Sequence, residues 1–176
     1  MNQPIKIQYY KSLVGELIIG SYNEQLCLCD WKYRKMRARV DSRIQKGCNA
    51  QYLEENSDTI QQTINQLEEY FNKERVQFDI PFLLIGTDFQ KNVWNMLLQV
   101  PYGKTATYLE LSQKINNVKA IRAVASANGA NAISIIIPCH RIIGSNRELV
   151  GYAGGLPAKK KLLELENHLD APELFD

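Results

Sequence analysis

The chain lacks what would mark a membrane, secreted or disordered protein. Its longest apolar run, 133–138, is broken by Ser134 and falls far short of the roughly 20 apolar residues a membrane-spanning helix needs. Met1-Asn2-Gln3-Pro4 has no basic stretch leading to a small-residue cleavage site, so no signal peptide is read there. An excess of one charge is also missing: 21 basic residues face 19 acidic ones, a net of +2. Cysteine is sparse, at Cys27, Cys29, Cys48 and Cys139, and without an export signal these should be reduced thiols. Cys27-Leu28-Cys29 has neither redox nor zinc spacing, and reads as small apolar residues on or under a strand. What remains is ordinary globular usage, 45% hydrophobic and 23% charged over 176 residues, which excludes collagen and low complexity. One domain or two small ones are expected, in a soluble, intracellular, cytoplasmic protein.

The charge is unevenly spread. Residues 1–85 hold 11 basic and 11 acidic side chains, residues 86–170 hold 10 and 6, and the tail adds Glu173 and Asp176. The positive bias of the second half permits contact with nucleic acid.

The first half reads as a small α/β unit. Ile5–Tyr10 alternates as a half-buried strand, Leu17–Ile19 follows the Gly15 break, Asn23-Glu24 is a turn, and Leu26–Trp31 is a third strand. Ser57 or Asp58 caps a helix to about Lys73, with Ile60, Ile64, Leu67 and Phe71 at helical spacing. Between them lie Lys32, Arg34, Lys35, Arg37, Arg39 and Arg43, interleaved with Trp31, Tyr33 and Met36. That mixture suits nucleic acid. The alternation from Lys32 to Val40 suits an edge strand or loop with a solvated charged side, and the solvated reading is favoured.

Pro81 and Gly86 mark a boundary, after which short helices dominate. Thr87 or Asp88 caps a helix carrying Phe89, Val93, Trp94 and Leu97. Thr107 precedes a second with Leu109, Leu111 and Ile115, and a third runs from about Lys119 to Asn128-Gly129. The last two fit a helix-turn-helix. The third is small-sided (Ala120, Ala123, Ala125, Ser126, Ala127), which suits close approach to DNA and tight core packing equally.

Ile135-Ile136-Ile137-Pro138-Cys139-His140-Arg141 is the sharpest signal. Three β-branched residues predict a buried strand ended by Pro138, followed by a thiol beside an imidazole. A thiolate is the nucleophile, a neighbouring base or cation favours it, and a carboxylate fixes the tautomer of such a base.

From Phe89 to Glu166 the chain resembles the O6-alkylguanine-DNA alkyltransferase family. The resemblance runs through Val100-Pro101-Tyr102-Gly103, Arg122-Ala123-Val124, Asn128-Gly129-Ala130-Asn131, Ile137–Arg141, Gly151–Leu156 and Leu162–Glu166. It implies an α/β N-terminal domain over 1–85 (a small sheet with a helix, ribonuclease H-like). A mostly helical, winged helix-turn-helix domain over 86–170 would follow. It implies that Cys139 accepts the alkyl group, that His140 draws its proton through a water, and that Glu166 orients His140. Asn131 would tie the helix-turn-helix to the active-site turn, and Tyr108 would assist departure of guanine. Arg122 would be the finger inserted into the duplex, with Thr107, Ala123, Ala127 and Arg141 as further DNA contacts. Ile142, Tyr152, Ala153 and Gly154 would line the pocket.

The implied function is irreversible, single-turnover transfer from O6-alkylguanine, and less efficiently O4-alkylthymine, flipped out of duplex DNA. No metal, cofactor or membrane is implied, and the protein is expected to act as a monomer. Two departures stand out. Ala132 and Ser134 replace usual prolines, which predicts a less rigid pocket wall. At Ala153, where the family has Ser or Ala, only the backbone N–H can bond the guanine oxygen. The zinc site of animal relatives is not supported, since His140 and His168 both lie outside the N-terminal domain. A non-enzymatic lesion-binding protein, a cysteine hydrolase and a plain helix-turn-helix regulator are the rivals. The first lacks an acceptor cysteine, the second separates nucleophile from base, and the third would leave Cys139-His140 idle.

Overall fold

Apolar strands gather the first half of the chain around a sheet. The computed structural model describes residues 2–166, which divide at Gly86–Thr87 into two compact units. In the first, β1 (Ile5–Ser12), β2 (Gly15–Tyr22) and β3 (Gln25–Trp31) form an antiparallel meander. The short β4 (Tyr52–Glu54) pairs with β1 in parallel, giving the order β3-β2-β1-β4. Asn23 and Glu24 turn β2 into β3 with φ of 47° and 64°, the two-residue turn whose twist matches that of the strands. The other hairpin needs a glycine. Gly15 has φ +121°, and a Cβ there would meet the Tyr33 hydroxyl at 2.5 Å.

β3 is buried from Leu26 to Trp31, and Cys27 and Cys29 pack there as small apolar residues. The helix α2 (Asp58–Phe71) lies against the sheet through Ile60, Thr63, Leu67 and Tyr70. Ser57 caps it by accepting from the Ile60 amide at 3.1 Å.

The stretch expected as an edge strand or loop is neither throughout. After turns at Lys32-Tyr33 and Lys35-Met36, residues Arg37–Cys48 form α1. The period that decides this is apolar: Val40, Ile44 and Cys48 recur every four residues and are all buried, which is one stripe of a helix. The charges around them hid that stripe. Asn49, in the left-handed conformation, ends the helix.

The second unit is built from short, well-capped helices. α3 (Asp88–Leu97) and α4 (Tyr108–Lys114) each start on a capping box, Thr87 with Gln90 and Thr107 with Glu110. A 3₁₀ turn (Val118–Ala120) leads into α5 (Ile121–Gly129), which packs on α4 and α3. Trp94 ties α3 to α5 by donating its indole N–H to the Ala127 carbonyl at 2.8 Å. Farther on come a 3₁₀ turn (Cys139–Arg141), β6 (Ile142–Ile143) and α6 (Leu156–Leu165). β6 pairs in parallel with β5 (Ala106–Thr107). Among the described residues no helix is long and apolar enough to cross a membrane.

The isoleucine run before Pro138 is buried but forms no strand. The chain folds back on itself, Ser134 bridging to Ile137, with Ile137 N–H donating to the Ile133 carbonyl at 3.0 Å. Ile135 sits at φ +72°, a conformation that costs a β-branched residue about 1–3 kcal/mol. Burial of Ile133, Ile135, Ile136 and Ile137 offsets that cost, since each such side chain contributes about 1.5–3 kcal/mol. β-propensity failed because the apolar run fills a turn.

Candidate active site

The turn after Pro138 buries three consecutive functional side chains. Cys139, His140 and Arg141 are 3%, 0% and 7% exposed, and the Cys139 amide is held by the Ile137 carbonyl at 2.8 Å. Glu166, capping the C-terminal end of α6 and 1% exposed, reaches this turn. One oxygen, Oε1, lies 2.9 Å from His140 Nε2. Arg141 grips both oxygens, Nη2 donating to Oε1 and Nε to Oε2, each at 2.9 Å. Its Nη1 donates to the Val100 carbonyl at 2.8 Å.

This arrangement fixes protonation. Burial alone would raise the Glu166 carboxyl, but the His140 ring and Arg141 guanidinium hold it well below the usual carboxylate range. Burial pushes the His140 imidazolium down, against the pull of Glu166. A neutral ring beside an ionised carboxylate must carry its proton on Nε2 and donate it. Nδ1 then holds the lone pair, and among the described residues it has no hydrogen-bond partner. A base is therefore aimed away from Glu166, on the residue next to the thiol.

Tyr108, the first residue of α4, receives a 3.3 Å hydrogen bond on its hydroxyl from Asn128 Nδ2. Burial, and then the Cys139 charge, push its phenol up to about 12, so it remains a proton donor. Asn131 donates to the Ile137 carbonyl and accepts from the Ile133 amide, both at 2.9 Å. It thus pins the loop before Pro138 to the end of α5. The wall that lacks prolines is held by these two bonds, with Ala132 and Ser134 themselves buried.

The other assignments divide. Arg122 and Ala123 are exposed on α5, while Val124, Ala127 and Asn128 are buried. Each reading of the small-sided helix therefore applies to one face. Two proposed DNA contacts need correction. Ala127 is 2% exposed and packs inward, and Arg141 is spent on Glu166 and Val100. A guanidinium that is 7% exposed and held by three hydrogen bonds inside the fold is not presented to phosphate. Thr107, half-buried, caps α4. Ile142 and Gly154 are buried, and Tyr152 and Ala153 half-buried, with the Tyr152 ring 6.5 Å from that of His140. No group of three metal-ligating side chains occurs among the described residues, and His168 lies outside them.

One residue was missed. Lys159 is fully buried and donates to the carbonyls of Ile142, Val150 and Gly151, joining α6 to β6 and to the loop before the pocket residues. Burial pushes its ammonium down to about 8, and the Cys139 charge opposes that shift, so Lys159 also bears on the thiol. Its place among Lys159-Lys160-Lys161 concealed it. Spacing from Leu162, Leu163 and Glu166, at +3, +4 and +7, would have put it on the buried face.

Residues 5–84 match the family model for the 6-O-methylguanine DNA methyltransferase ribonuclease-like domain, and residues 88–168 match that for the DNA binding domain of the same family. A methylated-DNA–protein-cysteine methyltransferase of Methanosarcina acetivorans is 41% identical over 158 residues, 89% of this chain and 95% of that protein. The protein of the same name from Mycobacterium leprae is 46% identical over 170 residues, 94% and 95% of the two chains. The crystal structure of Mycobacterium tuberculosis OGT in complex with DNA superposes with a TM-score of 0.79 at 35% identity, covering 97% and 99%.

The buried imidazole sets a pH dependence. His140 titrates below the ordinary 6.5, so the unfolded chain takes up that proton first. Its contribution to stability is complete above pH 6.5 and is lost as pH falls through the lowered value. Glu166, depressed from its ordinary 4.5, adds a further loss only below that pH. Urea unfolding from pH 8 to 5 should show stability declining below about pH 6.5, with a shallower decline in His140→Gln. Equal slopes in both proteins would place the acid-sensitive group elsewhere.

Proposed function

The chain belongs to the O6-methylguanine DNA methyltransferase family, and on that premise we propose that Cys139 is its alkyl acceptor. The protein repairs DNA by taking the alkyl group from the O6 position of guanine onto its own cysteine. The observation that carries the residue assignment is the buried Cys139–His140–Glu166 arrangement. There the carboxylate occupies Nε2 and leaves Nδ1 to act as base beside the thiol.

The step balances with the chain's own groups. His140 Nδ1 takes the Cys139 proton, relayed by a water, and the resulting imidazolium is stabilised by Glu166. The sulfur attacks the alkyl carbon and a carbon–sulfur bond forms. The carbon–oxygen bond breaks, its electron pair leaving with the guanine. Tyr108 supplies a proton to the departing base and is reprotonated through water by the proton that His140 took from Cys139, so both groups end neutral. Because Asn128 donates to the Tyr108 oxygen, the phenolic hydrogen remains available for a guanine nitrogen. The thioether has no easy reversal, so each molecule acts once; we read the acting species as a monomer. O4-alkylthymine presents similar chemistry and is a poorer second substrate. A lesion-binding protein that performed no transfer would have no use for the thiol.

The reacting oxygen lies inside the base stack, so the nucleotide must be flipped out, at a cost of a few kcal/mol. The exposed face of α5 supports that task. Its small Ala123 allows close approach, and Arg122 is placed to fill the gap left in the duplex. Tyr152, Ala153 and Gly154 line the receiving pocket. Such a role requires an intracellular protein with access to the DNA it repairs, and we read its location as cytoplasmic.

Cys139→Ala should still bind DNA containing methylated guanine but leave the methyl group in place, as followed by loss of label from the oligonucleotide. Continued clearance of the lesion would remove Cys139 from the acceptor role.

Arg122→Ala should slow repair of duplex DNA at least tenfold, a loss of about 1.4 kcal/mol in transition-state stabilisation, yet leave reaction with the free alkylated base nearly unchanged. An equal fall with both substrates would mean that Arg122 shapes the pocket or holds the fold.

A further inference from the structure

The first unit carries a concentration of positive charge that the alkyl-transfer site does not use. Residues 32–46 contain seven basic side chains and one acidic one, whereas the rest of 1–85 contains four basic and ten acidic. The unit is therefore polarised, although its net charge is zero.

Part of the concentration is neutralised within the fold. Arg34 and Arg37 both pair with the buried Asp30, at 3.0 and 3.1 Å, and Arg37 also pairs with Asp41 at 2.9 Å. Lys32 lies 3.6 Å from Glu16 and over the Tyr9 ring. The exposed basic residues that remain are Lys35, Arg39 and Lys46, separated by four and seven residues, with half-buried Arg43 between them. From the turn before α1 to its last turn, that spacing is one helical stripe, opposite in kind to the buried stripe of Val40, Ile44 and Cys48. Lys35, Arg39 and Lys46 are exposed and take part in none of the ion pairs of the described residues. Exposed Tyr33 and Met36 flank the stripe.

We propose that this face of α1 is a second DNA contact, binding the phosphodiester backbone of duplex DNA without regard to sequence. Three exposed cations, one in the turn before α1 and two on successive stretches of the helix, span roughly 16 Å at a rise of about 1.5 Å per residue, enough to meet several phosphates along a groove edge. Like charges so close repel one another. A polyanion relieves that repulsion and releases its own counterions on binding. The choice of DNA as the polyanion rests on the repair function. The contact itself requires no lesion and no transfer.

The test is binding of the full chain to an undamaged duplex at several salt concentrations, so that failure of the alkyl-transfer chemistry would not affect the readout. Lys35→Gln/Arg39→Gln/Lys46→Gln changes exposed side chains only. It should bind about tenfold more weakly at low salt, with the log–log salt slope reduced by two to three units, about 0.9 per lost phosphate contact. Its reaction with the free O6-methylguanine base should match the unaltered protein. A control with the same charge change elsewhere on the unit, Lys6→Gln/Lys11→Gln/Lys73→Gln, should keep the original slope. An unchanged slope in the first variant, or an equal reduction in both, overturns the proposal. So does an unchanged DNA slope accompanied by lost binding to vesicles of anionic phospholipid, which would assign the face to a membrane.

Discussion

A carboxylate with almost no access to water has to be held by partners or it will not stay charged, and the second unit is organised around holding Glu166. His140 and Arg141 meet it from the same short turn, and Arg141 continues to the Val100 carbonyl. One ionic contact thus joins the end of α6, the turn bearing Cys139 and the loop after α3. Removing one member of such a buried set strands the other charges, at a cost of about 3–5 kcal/mol. The same contact sets the chemistry, since it determines which imidazole nitrogen is left to act as base.

Supporting contacts act on the same turn from other sides. Asn131 pins the loop before it, and Lys159 gathers the carbonyls that follow it. Tyr102, its hydroxyl 3.4 Å from the Leu165 carbonyl and its ring beneath Arg141, closes the end near Glu166. Reactivity is correspondingly local. Burial, and then the neighbouring Asp30 charge, push the Cys29 thiol up, which keeps it inert. Cys139 is the cysteine set beside an oriented base.

Local rules made much of this legible. The β1–β3 strands, the Asn23-Glu24 turn and the caps at Ser57, Thr87 and Thr107 follow from alternation and side-chain chemistry within a few residues. The thiol, the imidazole and the carboxylate were read from ordered motifs, although nothing in the spacing of His140 and Glu166 shows that they touch. Features that depend on distant partners were hidden. β5 and β6 are two residues each and exist only by pairing across the chain. The Ile135 turn contradicts its own β-propensity because burial outweighs it. Arg141 looked like a surface cation because its partners, Glu166 and Val100, are remote in sequence. Charges around α1 imitated an alternating strand while the four-residue apolar period carried the fold.

The account depends most on the protonation of His140, and ¹⁵N NMR of the imidazole in the folded protein near neutral pH reads it directly. Nε2 should carry the hydrogen, with its resonance perturbed by Glu166→Gln, and Nδ1 should show the shift of an unprotonated nitrogen. A ring protonated on Nδ1, or an imidazolium with both nitrogens protonated, would contradict the assignment of His140 as the base that activates Cys139.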